Sequence, residues 1–199
     1  MEKQDKCRLC RRAGEKLFLK GDKCLSPACP LNKKNYPPGH LGAKRRMGRS
    51  SDYAAQLKEK QKARSIYGIP EQQMANYFKL ARRTRHATAS QLVSYLERRL
   101  DNVFYRAGWA QSRSQSRQFV SHGKVKVNGQ TIKSPSFQLK VGDKVSIQDV
   151  SMLTKSHSEV PTWLKAEKTK GQIEVKALPT LDDVAGAIDI QQVIEYYSR

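Results

Sequence analysis

Acidic residues are scarce in this chain. Against 38 Lys and Arg there are 18 Asp and Glu, which leaves a formal net charge of +20. Repulsion on this scale opposes a compact state in isolation and is relieved by a polyanion. Apolar residues are also few, at 38% where ~45–50% is usual, so the core is modest for the length. No apolar run approaches the ~20 residues of a membrane span. The opening Met1-Glu2-Lys3-Gln4-Asp5-Lys6 has no apolar segment behind it, so neither a membrane nor a secretory role is expected. Histidine is limited to His40, His86, His122 and His157, which form no constellation with a nucleophile. P-loop, G-x-G-x-x-G, H-E-x-x-H and G-x-S-x-G motifs are absent. The chain is therefore not expected to be an enzyme. What remains is 199 residues, enough for one or two domains at ~100–150 residues each.

The basic charge is uneven. Residues 1–100 hold 24 of the 38 Lys and Arg but 8 of the 18 acids. The last stretch is slightly acidic, with Lys170, Lys176 and Arg199 against Glu174, Asp182, Asp183, Asp189 and Glu195. A polyanion should meet the N-terminal half most closely, and the C-terminal tail suits a protein.

Cysteine is absent after residue 29. Cys7, Cys10, Cys24 and Cys29 stand as C-x2-C-x13-C-x4-C. Without a secretory segment the compartment is expected to be reducing, which disfavours disulfides. Each close pair fits a tight turn, and four thiolates suit one tetrahedral ion, zinc at ~2.3 Å. An iron–sulfur cluster uses the same donors. Arg8, Arg11, Arg12 and Lys23 would favour the thiolate form. With no open position the site would be structural, a metal knuckle stapling a basic segment too poor in apolar residues to hold itself.

Residues 30–50 read as loop, broken by Pro30, Pro37-Pro38-Gly39 and Gly42, with Lys44, Arg45, Arg46 and Arg49 at its end. Ser50 or Ser51 caps a helix running to about Tyr67, with Gly68 as its stop. It carries Lys58, Lys60, Lys62 and Arg64 around a thin apolar stripe, as if RNA covered one side. Pro70 suits the first turn of another helix, with Met74, Tyr77, Phe78 and Ala81 as its core stripe and basic Arg82, Arg83 and Arg85 at its end. Thr88 or Ser90 opens a helix with Leu92, Leu96, Leu100, Val103 and Ala107 on one face, ended by Gly108. Ser112 to His122 reads as a short helix with Arg113 and Arg117 one turn apart and Gln115 beside them. The period then changes to two. Asn128-Gly129 between Lys124-Val125-Lys126-Val127 and Gln130-Thr131-Ile132 is a strong hairpin signal. Phe137-Gln138-Leu139, Lys144-Val145-Ser146-Ile147 and Ile173-Glu174-Val175 follow as strand. Val160-Pro161-Thr162-Trp163-Leu164 reads as an anchor, and Val193 to Arg199 as a segment that docks onto the body.

Glu97 to Arg106, Ser112-Arg113 through Gln118, His122-Gly123 through Asn128-Gly129, and Val141-Gly142-Asp143 closely resemble the RNA-binding motif named after small-subunit ribosomal protein four, the universal S-four family. Cys7-Arg8-Leu9-Cys10-Arg11-Arg12 resembles the zinc-bearing N-terminus of its bacterial-type members. Tyr36-Pro37-Pro38-Gly39, Ser51-Asp52-Tyr53, Leu57 to Lys62, Tyr67-Gly68-Ile69 and Val193 to Arg199 resemble the family as well. The chain departs from it at Ser114, where members often carry a second arginine, and at Ser116, where they often carry alanine.

The resemblance implies an α+β protein in three parts: a metal-stapled basic arm at 1–45, a helical body at 46–90 closed by a tail at 160–199, and the helix–helix–hairpin RNA-binding module at 91–155. It implies a structural protein of the small ribosomal subunit in a bacterial-type cytoplasm. Such a protein binds small-subunit ribosomal RNA at a helix junction of the 5′ domain and nucleates assembly of the subunit body. It contacts small-subunit protein five, with an influence on decoding accuracy, and lines the path by which messenger RNA enters. Expected RNA contacts are Arg8, Arg11, Arg12, Lys44, Arg45, Arg46, Arg49, Ser51, Tyr53, Lys58, Lys60, Lys62, Arg64, Arg82, Arg83, Arg113, Gln115, Arg117, His122, Lys124, Lys126 and Asn128. Lys44, Arg45, Arg46 and Arg49 are the candidates for the messenger path. A pseudouridine synthase that borrows the motif would need Gly where Arg98 stands. A small ribosome-rescue protein would lack the cysteines and the Tyr-Tyr-Ser-Arg ending. A DNA-binding zinc finger would need a recognition helix after the cysteines.

Overall fold

A computed structural model of the chain describes residues 5–39, 51–84, 87–153 and 160–199. They divide into two units, Met1–Asn76 with Gly186–Arg199, and Tyr77–Ala185.

In the first unit, helix α1 (Lys6–Ala13) starts where the Asp5 carboxylate accepts the Cys7 N–H, and it stops at Gly14, left-handed at φ 79°. Short turns α2 (Asp22–Leu25) and α3 (Pro30–Lys33) follow. The expected loop thus begins later than residue 30. Proline at the first helical position has no N–H to lose and a φ already suited to the helix. Helix α4 (Asp52–Tyr67) is bounded as expected, with Ser51 accepting from the Ala54 N–H and Gly68 at φ 64°. Helix α5 (Glu71–Arg83) follows, its residues from Tyr77 onward counted in the second unit. The C-terminal helix α9 (Ile190–Ser198), capped by Asp189, packs on α4 with Ile190 and Val193 inward.

Polar contacts hold α9 to α4 and to the start of α5. The Lys60 ammonium lies 4.2 Å from the Tyr196 ring centroid and donates to Glu71 at 2.9 Å. The Tyr197 hydroxyl donates to the same carboxylate oxygen at 2.7 Å. Gln56 donates to Glu195 at 3.0 Å. Burial pushes the Glu71 carboxyl up, but the Tyr197 hydroxyl, Lys60 and Arg64 outweigh it and hold Glu71 below the usual carboxylate range. Burial and the Glu71 partner raise the Tyr197 phenol.

The second unit carries the sheet. The long helix expected after Thr88 is two helices, α6 (Thr88–Glu97) and α7 (Leu100–Arg106). The chain extends at Arg99, φ −62° and ψ 136°, because residues 135–139 take over its backbone partners. Leu100 N–H donates to Phe137 C=O at 2.9 Å, and Leu139 N–H to Arg98 C=O at 3.0 Å. Phe137-Gln138-Leu139 is accordingly no strand, only a single bridge from Gln138 to Arg99. Helix α8 (Arg113–Ser121) is capped by Ser112.

Strands β1 (Val125–Val127), β2 (Gln130–Thr131), β3 (Lys144–Ile147), β4 (Leu164–Glu167) and β5 (Gln172–Val175) form an antiparallel sheet in the order β2-β1-β3-β5-β4. Asn128 and Gly129 turn the first hairpin at φ 49° and 85°, the pair of positive angles that a two-residue hairpin loop requires. Alternate residues Val125, Val127, Val145, Ile147, Leu164, Ile173 and Val175 face one core with Leu100, Phe104, Trp109 and Val120. Phe104 and Trp109 meet edge to face at 5.2 Å, a favoured aromatic geometry. The stretch 160–199, expected to close the helical body as one tail, divides. Residues 164–175 pair beside β3 and only 190–198 packs on α4.

Candidate nucleic-acid interface

Helix α8 begins with its cap in place. Ser112 Oγ accepts the Gln115 N–H at 3.3 Å, and Gln115 Oε1 accepts the Gln111 N–H at 2.8 Å. Gln115 thus braces the helix start. Arg113 donates through Nε to Asn102 Oδ1 at 2.7 Å and lies 4.4 Å from the Tyr105 ring centroid. Arg117 lies 4.0 Å from Asp101. Ser116, fully buried, donates to the Asp101 carbonyl. Its inward position explains why a small residue stands there.

Under α8 lies a buried ion pair. Arg99 is fully buried and grips Asp101 with two hydrogen bonds of 3.0 and 2.7 Å, with Tyr77 Oη at 2.9 Å. Burial lowers the guanidinium pKa, but the Asp101 carboxylate and Tyr77 more than offset this, so it stays above its usual value. Asp101 serves as the counter-ion of this arginine.

Beyond α8, His122 is exposed, and Lys124 and Lys126 are half-buried beside the hairpin. Asn128 has a local task. Its amide donates to Asp143 at 2.9 Å, and its Oδ1 accepts the Lys144 N–H at 2.9 Å, which fixes the turn. Sequence reasoning passed over Lys133. A Cβ at Gly123 would sit 3.2 Å from Lys133 Cε, so this exposed lysine lies over the end of α8. No motif marks it; only the hairpin's return brings it there.

On the other unit, Lys60 and Lys62 are drawn inward, 4% and 8% exposed. Lys60 pairs with Glu71, and Lys62 with Glu15 at 2.8 Å and Glu59 at 3.5 Å. Arg64 pairs with Glu71 at 3.0 Å. Lys58 stays exposed, as do Ser51 and Tyr53. Tyr53 lies 5.8 Å from the Tyr196 ring, with Arg199 above it at 5.7 Å. Arg82 and Arg83, in the same unit as α8, are exposed at the end of α5. Lys44, Arg45, Arg46 and Arg49 lie outside the described residues.

The four cysteines line one small pocket with Lys6, Lys20 and Lys23. Cys7 and Cys10 sit one turn apart on α1, Cys24 lies in α2, and Cys29 caps α3. Three of the thiols are buried and all are free. Burial pushes the Cys10 thiol up; a backbone hydrogen bond at Leu17 opposes it, and Cys24, Cys7 and Cys29 add to it. A hydrogen bond with Cys7 raises Lys20, so lysine is the cation at the thiols. Arg11 turns instead to the Tyr36 carbonyl at 3.0 Å. Arg8 and Arg12 are exposed. The donor set suits a thiophilic ion, yet among the described residues no group of three or more Cys, His, Asp or Glu is arranged to hold one.

The model of the ribosomal protein S4/S9 N-terminal domain matches residues 2–97, and that of the S4 domain matches residues 98–145. The chain belongs to the uS4 family of ribosomal proteins. The small ribosomal subunit protein uS4 of Halothermothrix orenii is 43% identical over 202 residues, covering 97% of this chain and 96% of the relative. That of Dictyoglomus turgidum is 42% identical with the same coverage. That of Solidesulfovibrio magneticus is 44% identical, covering 98% and 97%. The uS4 proteins are structural components and not enzymes, and this chain is one of them. The S4-domain match covers α7, α8 and the hairpin. Among the described residues no helix is long and apolar enough to cross a membrane.

Proposed function

We propose that this chain binds small-subunit ribosomal RNA at a helix junction of the 5′ domain and nucleates assembly of the subunit body. The observation that carries the reading is α8 with its capped start, Arg113 and Arg117 held over a buried polar base, and Lys124, Lys126 and Lys133 alongside. Arg113 and Arg117 stand one turn apart on this helix within the matched S4 domain, and the lysines of the hairpin follow it in the chain. Folded RNA offers phosphates and 2′-hydroxyls rather than readable base edges, and cations held by a braced helix suit recognition by shape. Lys58, Tyr53, Arg82, Arg83, Arg8 and Arg12 are exposed and serve as further RNA contacts. Lys60, Lys62, Arg64 and Gln115 support it through contacts inside the protein, and Asn128 by fixing the hairpin turn. If about eight phosphates are neutralised, affinity falls by several orders of magnitude over a few-fold rise in salt. Hydroxyl-radical footprinting of the small-subunit RNA tests this. Protection confined to one junction of the 5′ domain is the expected result, and diffuse protection would count against the reading.

The finer roles belong to the same proposal. Lys44, Arg45, Arg46 and Arg49 line the path by which messenger RNA enters. The chain contacts small-subunit protein five and through it affects decoding accuracy. The site of action is the bacterial cytoplasm. Cys7, Cys10, Cys24 and Cys29 hold zinc as a structural ion, supported by four thiols lining one pocket. When bound, the ion would tie α1, α2 and α3 together. An iron–sulfur cluster is the alternative on the same donors. Metal analysis of protein purified without chelators distinguishes one zinc per chain from iron with sulfide.

A further inference from the structure

Arg113, the first residue of α8, ends a chain of hydrogen bonds. Its Nε donates to Asn102 Oδ1 at 2.7 Å. Asn102, buried, donates through Nδ2 to the Glu97 carbonyl at 3.0 Å and to Glu97 Oε2 at 2.9 Å. The Glu97 carboxylate is itself fully buried and takes both an Nε–H and an N–H of Arg106 at 2.9 and 3.0 Å. Arg106 reaches on to the Asp183 carbonyl at 2.7 Å. The Tyr105 ring lies under the Arg113 guanidinium at 4.4 Å.

A buried carboxylate costs desolvation energy that well-packed apolar residues would not, so a chain of this kind is weak support for stability alone. Its geometric consequence is definite. Glu97 presents only acceptors to Asn102, so the amide must turn its NH2 that way and its oxygen toward Arg113. Arg113 thus meets an acceptor that carries no charge. At that contact its direction is fixed without an ion pair, which a carboxylate at position 102 would have formed. We infer that Asn102 and Tyr105 are positioning residues that preset the Arg113 guanidinium for a backbone phosphate of the RNA, with Glu97 fixing the Asn102 amide. This rests on the reading of α8 as an RNA contact. Ordering a long side chain on binding costs about 0.5–1.5 kcal/mol, so presetting is worth about two- to tenfold in affinity.

The test is a double-mutant cycle on the full chain, read as affinity for a transcript of the small-subunit 5′ domain across a salt series. Arg113→Ala should weaken binding and reduce the salt slope by about one phosphate. Asn102→Ala and Tyr105→Leu should each weaken binding about two- to tenfold with the salt slope unchanged, and Tyr105→Phe, which keeps the ring, should recover what Tyr105→Leu loses. Both losses should vanish in the Arg113→Ala background, because the residues act through that side chain. Losses of equal size in both backgrounds would overturn the positioning role and leave the RNA contact standing. An Arg113→Ala variant that binds as well as the original would overturn both. Tyr105 is only half-buried, so its variants keep the test decisive if Asn102→Ala unfolds.

Discussion

Removing the Asp101 carboxylate should unfold the second unit more readily than any surface change. Arg99 is fully buried, and its guanidinium is held by Asp101 at 3.0 and 2.7 Å and by the Tyr77 hydroxyl at 2.9 Å. Asp101 raises the Arg99 pKa despite burial, and an arginine has no practical route to neutrality. Asp101→Ala therefore leaves a buried cation without its counter-ion, at a cost of about 3–5 kcal/mol, a large share of the ~5–15 kcal/mol of a typical domain. Trp109 and Trp163 are both buried in this unit, so urea unfolding followed by tryptophan fluorescence reports it. With an m value near 2 kcal/mol/M, the midpoint should fall by about 2 M. The double variant Arg99→Met/Asp101→Leu should recover most of the loss, since it removes both charges. A shift in Asp101→Ala below about 1 kcal/mol, or a double variant no better than the single, would refute the reasoning.

Two further outcomes follow from the same geometry. Glu71 is held below its ordinary 4.5, so its contribution to docking α9 is present above that value and lost as pH falls below it. Tyr197 is raised above its ordinary 10.0, so its contribution is present below that value and lost as pH rises beyond it. Protection factors of α9 amides should therefore drop at both ends, and Glu71→Gln should flatten the acid side. Ser116→Ala removes the hydrogen bond to the Asp101 carbonyl and should cost about 1 kcal/mol in urea unfolding; the family's frequent alanine at this place fits so small a penalty.

Local chemistry made much of this fold legible. Ser51, Gly68, Ser112 and the Asn128-Gly129 turn bound their elements by capping and positive φ, which depend on near neighbours alone. What was not legible depended on distant chain. The break at Arg98-Arg99 forms because residues 135–139 arrive to bond it. The strand Leu164–Glu167 exists because β5 lies beside it. Lys60 and Lys62 read as RNA contacts on a helix poor in apolar residues, yet Glu71, Glu15 and Glu59 draw them in. Asn102 carries no charge and sits in the first turn of α7, so nothing in its neighbourhood marks it as the partner of Arg113.

The most direct test of the central claim compares binding to small-subunit ribosomal RNA with binding to large-subunit RNA of equal length, at one near-physiological salt. A preference of ~1,000-fold, the lower end for specific nucleic-acid binders, is the predicted result. Equal affinity for the two RNAs would mean that the net charge of +20 alone drives binding, and would contradict the account.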